Sequence, residues 1–259
     1  MTGPSKASVT QSLDRAIDIL RLIGDRSRTG VRLADLSRAS GLAKPTALRL
    51  VRALERQGLV ERCSVGDTYH LGKDVFVLGL LASERHGIAK IATPFLRHLA
   101  EESGDAALLT LRQGRFGVCI QREEGAFPIR SFALRVGDRH PLGVGSNTLA
   151  MLSALERDEL EPAIAFTSEQ VRKYYPTYNE VDFREEVVRT RAIGYALNPG
   201  RLLSGSWGMA VSVTDASGHC VAALSIAAVE ARMDEGRRPE LAELMRREAA
   251  SLAQALGTA

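Results

Sequence analysis

Gly41-Leu42-Ala43-Lys44-Pro45-Thr46-Ala47-Leu48-Arg49-Leu50-Val51-Arg52-Ala53-Leu54 is the stretch whose reading decides the architecture of this chain. A glycine stops one helix, and a proline in the first turn opens the next. The residue before proline prefers extended backbone, which puts Lys44 near the N-cap. Leu48, Val51 and Leu54, with Leu50 beside them, supply a buried stripe at helical spacing, and Gly58 stands just past the expected C-terminus. Upstream, Leu33–Ser40 is a short helix carrying Leu33 and Leu36 inward, although Arg32 at its start lacks the side-chain oxygen of a good cap. Before it, Ser12–Ile23 places Leu13, Ala16, Ile17, Leu20 and Ile23 on one helical face, broken by Gly24-Asp25 and Thr29-Gly30. Downstream, Leu59–Arg62 and Thr68–Leu71 form two short strands around the turn Ser64-Val65-Gly66-Asp67. Helix, helix, turn, helix, hairpin is the order of a winged helix-turn-helix.

In that frame the third helix presents Lys44, Thr46, Ala47, Arg49, Arg52, Arg56 and Gln57 outward. Thr46, Ala47 and Arg49 lie in the turns that meet base edges; arginine can pair bidentately with guanine, and alanine can touch a thymine methyl. Lys44 and the backbone at Pro45 suit a phosphate, as do Arg52 and, in the wing, Arg62. Any one of these arginines is equally an ordinary solvated charge; the segment taken whole is not. Residues 1–72 hold twelve Lys or Arg against seven Asp or Glu, net +5, whereas the remainder is net −2. A basic head on a slightly acidic body suits a polyanion partner. The alternative, a winged helix used for protein contacts, predicts binding without the steep salt dependence of phosphate contacts.

Lys73–Arg85 is a helix apolar over more than one face, a pattern expected of a linker buried against a partner chain. Beyond it, Ile91–Ser103 looks helical, Ala107–Leu111, Gly117–Arg122 and Ile129–Val136 look like strands, and Asn147–Ala154, Glu159–Ile164 and Phe183–Ala192 look helical. Gly208–Thr214 and Val221–Ala228 flank a turn, and Pro239–Leu256 is an amphipathic helix. Hairpins plus helices predict an α+β domain with an antiparallel sheet.

Several function classes are disfavoured. Cys63, Cys119 and Cys220 are too scattered for a disulfide framework or a zinc site, and the five histidines lack metal-ligand spacing. Gly143-Val144-Gly145-Ser146 is not a nucleophile elbow, and a Ser146, His140, Asp138 triad is only a paper combination. No catalytic residue, metal or cofactor is expected. No apolar run is long enough to span a bilayer, and Asp14, Arg15, Asp18 and Arg21 interrupt the only apolar stretch near the start, so the expected location is the cytoplasm, at the nucleoid.

Gly143-Val144-Gly145-Ser146-Asn147-Thr148 leads into a helix with polar residues at its start. Free N–H groups at such a terminus favour a carboxylate; a capped helix with nothing bound explains the same residues as well.

The quoted helix-turn-helix resembles that of the IclR family of bacterial transcription regulators, with Pro45 for the usual Ser and Val51 for a Leu. Gly58–Arg62 and Tyr69–Gly72 are similar to its wing, Val136–Leu142 to its Val-Gly…Pro-Leu segment, Arg191–Asn198 to its Arg…Gly-Tyr stretch, and Ala222–Ile226 to its last core strand. The resemblance spans about residues 9–256. It implies a tail over 1–8, a winged helix-turn-helix over 9–72, a linker and dimerisation helix over 73–88, and a GAF-like effector domain, an antiparallel sheet flanked by helices, over 89–257. It implies a dimer or tetramer on pseudo-palindromic operator DNA and a small organic acid as effector. It places the effector pocket at Gly145, Ser146, Asn147 and Thr148, where the family's usual Gly and Lys are missing, and at Asn198, Gly208, Ser225 and Ala227, where some relatives carry larger or charged groups. Smaller, less charged walls suggest a bulkier or less acidic ligand. Strand alternation points Trp207 away from that pocket.

Overall fold

The computed structural model describes residues 6–26, 29–83 and 87–257. The chain divides into two compact units, Met1–Gly87 and Ile88–Ala259. Of the expected tail, residues 1–5 lie outside the described residues, and the first helix already begins at Lys6; of the expected linker, residues 84–86 lie outside them.

The first unit comprises α1 (Lys6–Gly24), α2 (Leu33–Ser40), α3 (Lys44–Arg56), a wing of β1 (Val60–Cys63) and β2 (Thr68–Leu71), and α4 (Lys73–Ser83). Ile19 and Ile23 of α1, Leu36 of α2 and Val51 of α3 close its core without residual exposure, with Val60 and Tyr69 from the wing beside them. The turn between α2 and α3 is fixed twice. Gly41 caps α2 with φ 67°, a left-handed conformation that costs glycine little. The Ser37 hydroxyl then donates to the Leu42 carbonyl at 2.6 Å. Val31 bridges Tyr69, so the chain before α2 lies along the wing.

The stripe of α3 is Ala47, Leu50, Val51 and Leu54, one residue off the expected register at its start; Leu48 is only half-buried. Ala43, not Lys44, is the N-cap, which places Pro45 in the first turn and rotates the inward face onto Ala47.

The second unit contains α5 (Ile88–Ser103), β3 (Ala106–Gln113), β4 (Phe116–Glu123), β5 (Arg139–Pro141), α6 (Ser146–Ser153), α7 (Arg157–Tyr174), α8 (Phe183–Ile193), β6 (Ala196–Pro199), β7 (Ser206–Thr214), β8 (Cys220–Val229) and α9 (Arg238–Gly257). The strands form one antiparallel sheet in the order β5-β4-β3-β8-β7-β6. Alternation splits its faces. Ala107, Leu109, Met209, Val211, Leu224 and Ile226 pack on α5 and α9. Ala196, Ala210 and Ala223 face a second core with α6, α7 and α8. Ile129–Val136 is not a strand. Its carbonyls at Ser131 and Leu134 accept from the Arg122 guanidinium, at 2.7 and 3.0 Å, in place of ladder bonds.

Candidate functional site

Two surfaces collect the predicted residues, one in each unit. On α3, Lys44, Pro45, Arg49 and Arg52 are exposed, and Thr46 is half-buried. Lys44, Arg49 and Arg52 form no ion pair with any described residue, so their charge is uncommitted. Ala47 is fully buried and cannot meet a base edge: the helix places it one turn before Leu50 and Val51 in the core. Arg62 is exposed on the wing but held by Asp67, with hydrogen bonds of 2.8 and 2.6 Å to one carboxylate oxygen. That carboxylate raises the guanidinium pKa above its ordinary value.

In the second unit, all eight residues predicted for the pocket line one cavity, whose space is about 490 Å³ with its mouth included. Sheet register explains half of them. Asn198 pairs with Gly208 and Gly208 with Ala227, one row across three strands; Ser225 lies two residues along on the same face. The other half is the start of α6, every residue of which is buried. Its approach to the sheet requires Gly208, where an added Cβ would stand 2.7 Å from the Ser146 hydroxyl oxygen.

Most side-chain polar groups in the cavity are committed to one another. The Asn147 amide donates to the Thr110 hydroxyl at 2.6 Å and the Ser225 hydroxyl at 2.8 Å, stitching α6 to β3 and β8. The Ser146 hydroxyl donates to the Asn147 carbonyl oxygen at 3.2 Å. Thr148 donates to the Val144 carbonyl at 2.7 Å. The Gly145 N–H donates to the Tyr178 hydroxyl, which donates in turn to Asn198 Oδ1. Burial drives the Tyr178 phenol pKa upward, so it stays a donor.

Two sets of polar groups are left over. Gly145, the N-cap of α6, offers no side-chain cap, and the amides of Ser146, Asn147 and Thr148 have no acceptor among the described residues. His140 lines the cavity from β5; its Nδ1 meets the Tyr175 hydroxyl at 3.0 Å, and its buried Nε2 has no partner among the described residues. Burial lowers the His140 pKa, with Asp138 opposing, so the ring is neutral at pH 7. Among the described residues the lining holds one carboxylate, Asp138, and no Lys or Arg.

His140, Thr110 and Cys119 were not legible as pocket residues in the sequence; only the strand order brings β5, β4 and β3 to this wall. Burial pushes the Cys119 thiol up to about 12, so it is an inert part of that wall. Trp207 also adjoins the cavity, contrary to expectation, although its ring packs with the α5 and α9 core and lies 5.3 Å from the Arg238 guanidinium. No helix among the described residues is long and apolar enough to cross a membrane.

The bacterial transcriptional regulator IclR C-terminal family model matches residues 81–254, and the IclR helix-turn-helix domain model matches residues 12–63. The chain belongs to the IclR family.

This IclR-family chain is similar along nearly its whole length to curated transcription regulators. The HTH-type transcriptional repressor AllR of Klebsiella pneumoniae is 29% identical over 257 residues, covering 98% of this chain and 93% of AllR. The HTH-type transcriptional regulator XynR of Escherichia coli is 26% identical, covering 96% of this chain and 98% of XynR. Among solved structures, an IclR transcriptional regulator of Silicibacter superposes with TM-score 0.79 at 23% identity, covering 95% of this chain and 96% of that one. An IclR homologue of Microbacterium hydrocarbonoxydans, solved with 4-hydroxybenzoate, superposes with TM-score 0.72 at 19% identity, covering 96% of this chain and 100% of that one. The protein is therefore a DNA-binding transcriptional regulator with a C-terminal effector-binding domain, in a family of regulators and not of enzymes.

Proposed function

We propose that this regulator reads operator DNA with α3 and is switched by a small organic carboxylate held at the N-terminus of α6. The observation that carries the effector reading is what the cavity leaves unpaired among the described residues: three buried amides at one helix start and one imidazole nitrogen, with no cationic side chain beside them in the wall. A carboxylate fits the amides and the positive end of the α6 dipole. The body of the ligand lies against Leu108, Leu134 and Ala227. The absence of Lys and Arg limits the cavity to a weakly charged acid, with one carboxylate and not two. That the Microbacterium homologue was crystallised with 4-hydroxybenzoate supports a ligand of this class.

On the DNA side, Arg49 reads bases while Lys44, the Pro45 backbone, Arg52 and Arg62 hold phosphates, and Thr46 packs beside Arg49 at the groove. Arg62 reaches a phosphate by exchanging Asp67 for it, which makes it the weakest of these contacts. A second copy of the chain covers α4, where Phe76, Val77, Leu78, Leu80 and Leu81 are between 49 and 73% exposed. The resulting dimer, alone or paired into a tetramer, sets two α3 helices about 34 Å or a multiple apart on a pseudo-palindrome in the cytoplasm.

Selection of genomic DNA fragments by the purified protein at physiological salt, with Arg49→Ala alongside, tests this. Enrichment of a few palindromic intergenic sites, lost in the variant, is expected. Enrichment unchanged in Arg49→Ala would remove α3 from base reading.

A further inference from the structure

A second cavity lies at the other end of α6. It opens to solvent and is bounded by the C-terminal half of α6, the end of α8 and strands β6 and β7, with a space of about 400 Å³ including its mouth. Its lining is mixed: Ala150, Ala154 and Val211 give it small apolar surface, Ala196 and Ala210 are fully buried, and Ser153, Thr190, Arg191, Tyr195 and Ser212 are polar. Among its polar side chains, Ser153 and Arg191 stand out. Ser153 is only 7% exposed, and its hydroxyl oxygen is buried with no hydrogen-bond partner among the described residues. A serine inside a helix ordinarily returns its hydroxyl to the carbonyl four residues back, as Ser168 does to Ile164 and Ser103 to Leu99. Ser153 does not, and a buried hydroxyl without a partner is costly.

The second is Arg191. Its Nε donates to the Ser153 carbonyl at 2.8 Å and one terminal nitrogen, Nη2, to the Leu155 carbonyl at 2.7 Å. Those bonds fix the guanidinium at the C-terminal end of α6, yet Arg191 has no carboxylate partner among the described residues, and its other terminal nitrogen, Nη1, is unused. By contrast Arg184 and Arg189, on the same helix, are each paired with a glutamate. Arg191 is exposed, but its guanidinium is held in place beside a buried orphan hydroxyl, at a pocket of mixed polar and small apolar lining, and this has the chemistry of a receptor for a small monoanion.

We propose that this cavity is a second ligand site, taking a small organic carboxylate whose oxygens meet Arg191 Nη1 and the Ser153 hydroxyl and whose apolar body lies on Ala150, Ala154 and Val211. A single cation and neutral hydroxyls match one negative charge; a phosphate dianion would remain under-compensated. The site is distinct from the effector cavity but shares α6 with it, eight residues or roughly 12 Å of rigid, fully buried helix. A ligand that fixes the C-terminal end of α6 therefore changes the affinity of the cavity at its N-terminal end.

The alanines in the lining make the test direct. Full-length protein carrying ¹³C-labelled alanine methyls is titrated with sodium propionate, propionamide and inorganic phosphate. Saturable shifts of the Ala150, Ala154, Ala196 and Ala210 methyls with propionate only are expected, weakened at least tenfold in Arg191→Gln. Ala133 and Ala227 report the effector cavity separately, so failure of one site is distinguishable from failure of the other. Because Arg191 also clasps the end of α6, Ser153→Ala serves as the second variant. It removes no hydrogen bond of the free protein, so its Tm stays at or above wild type, while propionate binding falls at least threefold. No saturable shift at the four methyls up to tens of millimolar, equal response to propionamide or phosphate, or unaltered binding in Ser153→Ala would each overturn the proposal.

Discussion

Helices α3 and α6 begin alike and sit in opposite surroundings. Neither Ala43 nor Gly145 caps its helix with a side chain. At α3 the first turn is exposed and carries Lys44, with Arg49 and Arg52 following, all without ion-pair partners among the described residues. At α6 the first turn is buried; its serine bonds its asparagine, the asparagine bonds the sheet, and its threonine turns back to the Val144 carbonyl. A helix N-terminus favours an anion in both places; the surroundings decide which anion. Mobile cations in water suit a long polyanion whose charges must be followed. Fixed dipoles in a closed wall suit one small acid, because they are already oriented and need no counterion.

The sharpest way to break this contrast is to remove one terminus and watch the other. Gly208→Val pushes into the Ser146 hydroxyl, since even a Cβ there would be 2.7 Å from it. The ligand response is expected to vanish while operator affinity in the unliganded protein stays within a few-fold of wild type. Calorimetric titration and gel shift on the same preparation check this, with a Tm loss corresponding to about 1–3 kcal/mol for overpacking. A variant that still responds fully would take the effector away from the α6 terminus.

On α3 the expected effects are smaller and separable. Arg49→Ala should lose about 1–3 kcal/mol of discrimination, roughly ten- to a hundredfold, between operator and a site mutated at one guanine. Arg52→Ala should weaken all sequences nearly equally and reduce the log–log salt slope by about one per protomer. If Arg52→Ala changes preference and Arg49→Ala changes only the slope, their roles on the helix face are exchanged.

How far the sequence reached follows from the range of the interactions. Helix α2 was legible to the residue because Gly41, the turn and the two leucines are all local. The stripe of α3 was placed one residue late at its start because leucine outweighs alanine by size: Leu48 invites burial, yet the angle set by Leu50, Val51 and Leu54 buries Ala47. Ile129–Val136 looked like a strand by composition. Its apolar residues instead divide between the cavity, through Ala133 and Leu134, and solvent, through Ile129, Phe132 and Val136. The half of the cavity drawn from α6, β6, β7 and β8 was legible by resemblance. The half drawn from Thr110, Cys119 and His140 depends on strand order, which no local pattern reports.

The smallest effect concerns the imidazole that the α6 cavity contains and the α3 surface lacks. Burial holds His140 below its ordinary 6.5, so the unfolded chain binds its proton before the folded one does. The contribution to stability is therefore complete above pH 6.5 and is lost as pH falls through the folded value. Wild-type Tm should fall between pH 7 and pH 5 more steeply than that of His140→Phe, which has nothing to protonate there, while carboxylates titrate lower still. The comparison with α3 sharpens the same measurement: no histidine lies on that helix, so operator affinity at constant salt should not separate wild type from His140→Phe over this range in the absence of ligand. Parallel Tm curves for the two proteins would mean that the imidazole is protonated as readily folded as unfolded. The cavity wall would then accept a cation beside the α6 terminus, and a single negative charge would no longer be the limit of what it holds.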